Sequence, residues 1–214
     1  MKYKYLLFDL DGTLMDSSSG ITACGSEVLL HYGIKKDPSE LKFLIGPSFY
    51  DSARERFGLD DKTAWEATEY YRKLTLEKYL YDGELLPYAE ESLLRLKSAG
   101  YTLYLATNRP QNFADKLAEH FKITQYFEAI CGRPSLDGNK TEILQSILLR
   151  HPDGAKSEFL MIGDRDQDMQ AAKNVGIDAL GVNITGFAPE GEIEAFSPVA
   201  IVNSLKELCR YLIK

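Results

Sequence analysis

The sequence has little cysteine and no pairing pattern for what it has: Cys24, Cys131 and Cys209 are an odd number, far apart, with no C-x-x-C spacing. That gives no disulfide framework and no zinc site, so the thiols are expected to be reduced and buried. Long hydrophobic runs are missing too. The apolar run nearest the N-terminus, Tyr5 to Phe8, is far too short for a signal-peptide core, and nowhere do about 18 apolar residues follow one another. The expectation is a cytoplasmic protein with no membrane association. Nor is there an excess of positive charge, since 25 Lys and Arg against 32 Asp and Glu leave a formal net charge of -7. Such a balance argues against a nucleic-acid partner, because phosphate backbones need a basic surface. A small anionic substrate fits if a cation and a few local donors neutralise its site.

What is present has the composition of a globular protein: 44% hydrophobic and 27% charged residues, without low-complexity segments. A chain of 214 residues can build one core with a smaller appended domain. Short β-branched or aromatic-rich runs at Tyr3 to Phe8, Thr102 to Ala106, Phe159 to Ile162, Ala179 to Val182 and Val199 to Val202 read as buried strands. Helical patterns lie between most of them, at Tyr88 to Ser98, Asn112 to His120, Lys140 to Leu149 and Gln167 to Asn174. This alternation predicts an α/β fold with a Rossmann-like parallel sheet. The stretch from about Ser19 to Leu85 breaks the pattern, with helical runs at Gly20 to His31 and Lys62 to Tyr81 and no convincing strand. It reads as an all-helical domain, residues 16–85, inserted after the first strand into a core of residues 1–15 and 86–214. Pro87 suits the first turn of the returning helix, and Gly100 its end.

The chemistry gathers at predicted strand ends. Asp9 and Asp11, in "YLLFDLDGTLMD", stand two apart, so both carboxylates face one side if the strand persists that far. Gly12 and Thr13 follow, and glycine permits a sharp turn that presents N–H groups to an oxyanion. Ligands of open α/β sheets bind outside the carboxyl ends of the strands. There the sequence also places Thr107-Asn108-Arg109 and Gly163-Asp164-Arg165-Asp166-Gln167-Asp168, with Lys140 opening the helix after "LDGN". Singly, each has a plain reading: a strand-ending hydroxyl, a solvated lysine, helix N-caps. Together they supply clustered carboxylates that repel one another unless a cation intervenes, and magnesium is the hard, oxygen-preferring choice.

These residues resemble the haloacid dehalogenase superfamily, in particular its phosphatases with a helical cap. "FDLDGT" (Phe8 to Thr13) is similar to the first family motif, Thr107 to the second, Lys140 to the third, and Gly163-Asp164 with Asp168 to the fourth. The resemblance implies that Asp9 is a nucleophile forming an aspartyl-phosphate and Asp11 the general acid and base. It further implies that Gly12, Thr13, Thr107, Asn108 and Lys140 meet the phosphorylated substrate; Arg109 and Arg165 depart from the family's commonest residues, but, being next to motif residues, would extend the phosphate or substrate contacts. The Mg2+ ligands would be Asp9, the Asp11 backbone carbonyl and Asp164, with Asp168 holding metal-bound water or orienting Lys140.

Dehalogenases of the family lack the acid at the position of Asp11, and its P-type ATPases carry lysine there and membrane helices besides. A small phosphorylated metabolite is therefore the expected partner. "LIGPSF" (Leu44 to Phe49) resembles the specificity loop of phosphoglycolate phosphatases and some nucleotidases, although Gly46-Pro47 also reads as a plain turn; Lys42, Arg54 and Arg56 nearby read as exposed helix charges or as partners for a substrate carboxylate. A 5'-nucleotidase or broad sugar phosphatase, a β-phosphoglucomutase-like enzyme and a non-catalytic regulatory protein are the alternatives. Tyr70, Tyr71, Tyr79 and Tyr81 would pack the inserted domain, line a nucleoside pocket or form a dimer surface. Monomer and homodimer are both left open.

Overall fold

The computed structural model describes residues 2–133 and 138–213, so Leu136 and Asp137 of "LDGN" lie outside the described residues. In chain order the elements are β1 (Tyr5–Phe8), β2 (Met15–Asp16), α1 (Ser18–His31), a 3-10 segment (Pro38–Leu44), α2 (Phe49–Phe57), α3 (Asp61–Leu74) and β3 (Glu84–Leu85). There follow α4 (Ala89–Ser98), β4 (Thr102–Pro110), α5 (Gln111–His120), β5 (Ala129–Arg133), α6 (Lys140–Leu148) and β6 (Phe159–Gly163). The chain closes with α7 (Asp166–Val175), β7 (Asp178–Val182), β8 (Ile201–Val202) and α8 (Leu205–Leu212).

Two compact units result, one of Met1–Met15 with Leu85–Lys214 and one of Asp16–Glu84. The first is built on a six-stranded sheet in the order β5-β4-β1-β6-β7-β8, and its strand pairs are parallel. β1 sits inside the sheet, with Phe8 level with Leu105 of β4 on one side and Ile162 of β6 on the other. All four of its residues are buried, as a parallel strand covered on both faces requires. Tyr5 and Leu7 pack with Ile143, Leu144 and Ile147 of α6 and Ala171, Ala172 and Val175 of α7. Leu6 and Phe8, by the alternation of a strand, point to the opposite face.

The Asp16–Glu84 unit has its own core of Cys24, Val28, Leu29, Leu41, Leu44, Phe49, Ala53, Ala64, Ala67 and Leu74. Tyr70, Tyr71 and Tyr79 pack against it, with Tyr71 stacked on Phe49 at 4.5 Å between ring centroids. Among the described residues no helix is long and apolar enough to cross a membrane, and all three cysteines are buried.

The structure differs from the sequence expectations in several places. β5 was absent from them, because its Gly132 and its position at the sheet edge weaken the apolar signal; a Cβ on Gly132 would come within 2.6 Å of Gln111 Cα, so glycine is required. The pattern from Lys62 to Tyr81 is not one α-helix: α3 gives way at Thr75 to a π-helical turn, Thr75–Tyr79. Thr75 Oγ1 donates to Tyr71 O at 2.8 Å there, a side-chain insertion of the kind that loosens a helical ladder. Pro87 lies ahead of α4 rather than in its first turn, since Tyr88 (φ 67) is the residue that redirects the chain. The last strand is shorter than Val199 to Val202, spanning only Ile201–Val202.

Candidate active site

β1 stops at Phe8, so the two aspartates of "FDLDGT" sit in the loop beyond it rather than on the strand. Asp9 still follows the sheet, its N–H donating to Ile162 O at 2.8 Å. Leu10 is fully buried between them, and its carbonyl accepts from the N–H groups of Leu14 (2.9 Å) and Met15 (3.0 Å). Gly12 supplies the left-handed residue (φ +82), and a Cβ on it would lie 2.0 Å from Asp164 Oδ2. The expectation that this turn offers N–H groups to an oxyanion is not met at Gly12, whose N–H donates to Met15 O at 2.7 Å. Gly12 instead makes room for Asp164, and Thr13 donates its hydroxyl to Asp164 Oδ1 at 3.2 Å.

The neighbouring strands bring the remaining residues to the same edge. Asp164 follows Gly163 at the end of β6, and Asp168 lies in the first turn of α7. Gly163 is needed because Asp168 folds back over it: an added Cβ would be 2.3 Å from Asp168 Cγ. Asp168 Oδ2 accepts from Arg165 N–H at 3.2 Å, while Glu192 accepts from Arg165 Nε (2.8 Å) and from Asp166 N–H (3.0 Å), fixing the loop from the other side. On β4, Thr107 is buried and its Oγ1 accepts from Arg109 N–H at 3.2 Å, while Asn108 Nδ2 donates to Gln167 Oε1 at 2.7 Å.

Lys140 opens α6, where Asn139 caps the helix by accepting from Glu142 N–H. It is not the solvated lysine of the plain reading but is buried, with Nζ on Asp9 Oδ1 at 2.5 Å, Asp168 Oδ1 at 2.9 Å and Ala106 O at 2.6 Å. An ammonium has three donors, and here each has an acceptor. Asp11 is turned elsewhere: its two carboxylate oxygens accept from Arg109 Nε and Nη2, each at 2.8 Å.

Asp9, Asp164 and Asp168 each present an oxygen within 4.8 Å of the others, and all three are buried. The Asp11 carboxylate is not part of that cluster. Burial, opposed by the Lys140 charge and reinforced by Asp168 and Asp11, pushes the Asp9 carboxyl up to about 7. Asp164 is driven well above the usual carboxylate range, first by burial and then by Asp9 and Asp168. Burial works against the Lys140 charge, but Asp168 and Asp9 outweigh it and hold the ammonium above its ordinary value. Lys140 thus pairs with two of the three carboxylates, and no described residue donates to the buried Asp164 Oδ2. An all-oxygen set with a surplus of negative charge and an orphaned oxygen fits a hard divalent cation.

Residues 6–182 match the family model described as haloacid dehalogenase-like hydrolase. The chain belongs to that family. It is 36% identical to a 5'-nucleotidase of Pseudomonas aeruginosa over 99% of this chain and 96% of the relative. It is 28% identical to the phosphoglycolate phosphatase of Vibrio parahaemolyticus over 96% of this chain and 94% of that one. Among solved structures, a predicted phosphatase from Clostridium acetobutylicum superposes with a TM-score of 0.91 at 34% identity, covering 100% of this chain and 99% of the other. This haloacid dehalogenase-like chain is accordingly an enzyme of phosphatase type, and its α/β sheet is the family's.

Sequence reasoning placed Asp9, Thr107, Lys140, Asp164 and Asp168 on separate elements, and the structure brings them to one edge of the sheet. It missed Gln167, Glu192 and the Ala106 carbonyl as supports. Gln167 stands inside the "GDRDQD" run and could have been suspected; Glu192 has no motif around it. In the Asp16–Glu84 unit, Arg54 is paired with Asp61 at 2.7 Å and Arg56 lies over the Phe43 ring at 5.0 Å, while Lys42 is exposed. Arg54 therefore already has a carboxylate partner from its own unit.

Proposed function

We propose that the chain is a magnesium-dependent phosphomonoester hydrolase that works through an aspartyl-phosphate on Asp9. The observation that carries the reading is Asp9 itself, buried at the carboxyl edge of the sheet between the Lys140 ammonium and the carboxylates of Asp164 and Asp168. Asp9, Asp164 and the Asp11 backbone carbonyl would hold the magnesium ion, with Asp168 supporting its water. The ion's contribution is to offset phosphoryl charge and keep Asp9 ionised at neutral pH.

The chain's own residues supply the rest. Ionised Asp9 attacks phosphorus, exchanging the bond to the leaving oxygen for one to its carboxylate oxygen. Asp11 gives a proton to the departing alcohol and then takes one from the water that hydrolyses the acyl phosphate. Thr107 Oγ1 and the Asn108 N–H hold phosphoryl oxygens while Lys140 stabilises the growing charge on them.

The substrate is a small phosphorylated metabolite. Sequence reasoning favoured a phosphoglycolate-like acid, but the partner needed for its carboxylate is weakened by the Arg54–Asp61 pair. A nucleoside monophosphate ranks first here, supported by the 36% identity to a 5'-nucleotidase, and phosphoglycolate second. The test is hydrolysis of an aryl phosphate with and without magnesium, followed by kcat/KM on nucleoside monophosphates, phosphoglycolate and sugar phosphates. Full activity in Asp9→Asn, or none in the wild type with magnesium, would sink the hydrolase reading.

A further inference from the structure

The proton-transfer role given to Asp11 meets an obstacle in the structure. Arg109 donates to both oxygens of the Asp11 carboxylate, Nε to Oδ2 and Nη2 to Oδ1, each at 2.8 Å. The two side chains are mostly buried, at 14% and 15% exposure, so the pair is screened far less than a surface ion pair. In this arrangement the fork of the guanidinium is filled by the carboxylate, and Asp11 is aimed at Arg109 rather than at a leaving group. The pair has to open in every turnover.

What opens it must offer the guanidinium an equivalent partner. A planar guanidinium fork matches a carboxylate and a phosphoryl group in the same bidentate manner. Arg109 is anchored where such a group arrives, because its N–H donates to Thr107 Oγ1 and it is preceded by Asn108. Its backbone is held from behind as well. Gln111 accepts from Gly132 N–H at 2.7 Å and donates to Ile130 O at 3.0 Å, and Arg109 O lies 2.9 Å from where a Gly132 Cβ would stand. The main chain is therefore fixed while the side chain can exchange one oxyanion for another.

We propose that Arg109 is a phosphoryl-exchanged clamp: it holds Asp11 while the site lacks phosphate, passes to the substrate's phosphoryl oxygens on binding, and thereby releases Asp11 for proton transfer. The inference rests on the hydrolase reading above. It makes Asp11 a competitor of the substrate for one guanidinium, which a purely structural ion pair would not be.

The probe is inorganic orthophosphate, its affinity measured calorimetrically with magnesium present for wild type, Asp11→Asn, Arg109→Ala and the double variant. Asp11→Asn keeps the shape but presents an N–H toward the guanidinium, so Arg109 is freed and phosphate should bind roughly tenfold tighter. In the Arg109→Ala background the same change should tighten binding by no more than about twofold, a non-additivity expected of directly coupled groups. Arg109→Lys retains the charge without the fork and guards against a folding failure of the alanine variant; it should give an affinity between wild type and Arg109→Ala. Equal tightening in both backgrounds would assign the effect to lost negative charge alone and overturn the clamp. Absence of any tightening in Asp11→Asn, including no measurable binding in either protein, would overturn it as well. Aryl phosphate hydrolysis by the wild type separates the two readings: activity together with a failed cycle refutes only the clamp, and no activity refutes the hydrolase.

Discussion

Magnesium binding should release protons, and the amount is set by the carboxylate cluster. Asp9 sits at about 7 in the metal-free protein, against 3.8 for an unperturbed aspartate. At pH 6 roughly nine-tenths of the chains then carry a proton on Asp9, and at pH 8 roughly one-tenth. A cation held by that carboxylate displaces the proton. Asp9 alone gives release falling from about 0.9 to about 0.1 proton per ion over that range. The apparent affinity should weaken by up to about tenfold for each unit below pH 7 and flatten above it. Because Asp9 binds its proton more tightly folded than unfolded, its contribution to the metal-free fold is full below pH 3.8 and lost as pH rises through 7. The loss is on the order of 4 kcal/mol. Calorimetric titration of magnesium in two buffers of different ionisation enthalpy counts the protons, and thermal melts with and without the ion follow the stability. An affinity independent of pH from 6 to 8 with no proton release would refute the account of the cluster.

Two substitutions probe how the site is built. Gly12→Ala strains a left-handed residue and drives a methyl into Asp164 Oδ2, so it should cost roughly 1–3 kcal/mol in urea unfolding and also weaken magnesium binding. Lys140→Met removes the cation facing Asp9 and Asp168, and in metal-free protein should cost about 3–5 kcal/mol where Asp9 is ionised, shrinking as falling pH protonates Asp9; a loss that does not change with pH would argue that packing, not charge, was removed.

How far the sequence could be read depended on the range of each interaction. The strand ends and helix starts were visible because buried parallel strands are short apolar runs followed by polar residues, as at Phe8-Asp9 and Ile162-Gly163-Asp164. The partnership of Arg109 with Asp11 was not, since the two lie 98 positions apart and nothing local to either specifies the other. Locally Gly12 reads as a turn that exposes donors, but its use is to admit the side chain of Asp164, a contact made across 151 positions for the adjoining Thr13. The π turn after Leu74 escaped notice because a threonine bonding back to the previous turn leaves the helical pattern of apolar residues intact.

The place of β1 inside the sheet also bears on how the protein forms. Its four buried residues are made well before their partners on β4 and β6, which follow only after the whole Asp16–Glu84 stretch has been synthesised. Lys140 reaches Asp9 across 131 positions. An unpaired apolar strand waiting that long is the segment most exposed to wrong pairing, and contacts of such sequence separation slow folding. The aspartate meant for chemistry thus acquires its surroundings late, and the Lys140–Asp9 contact can report that the sheet has closed.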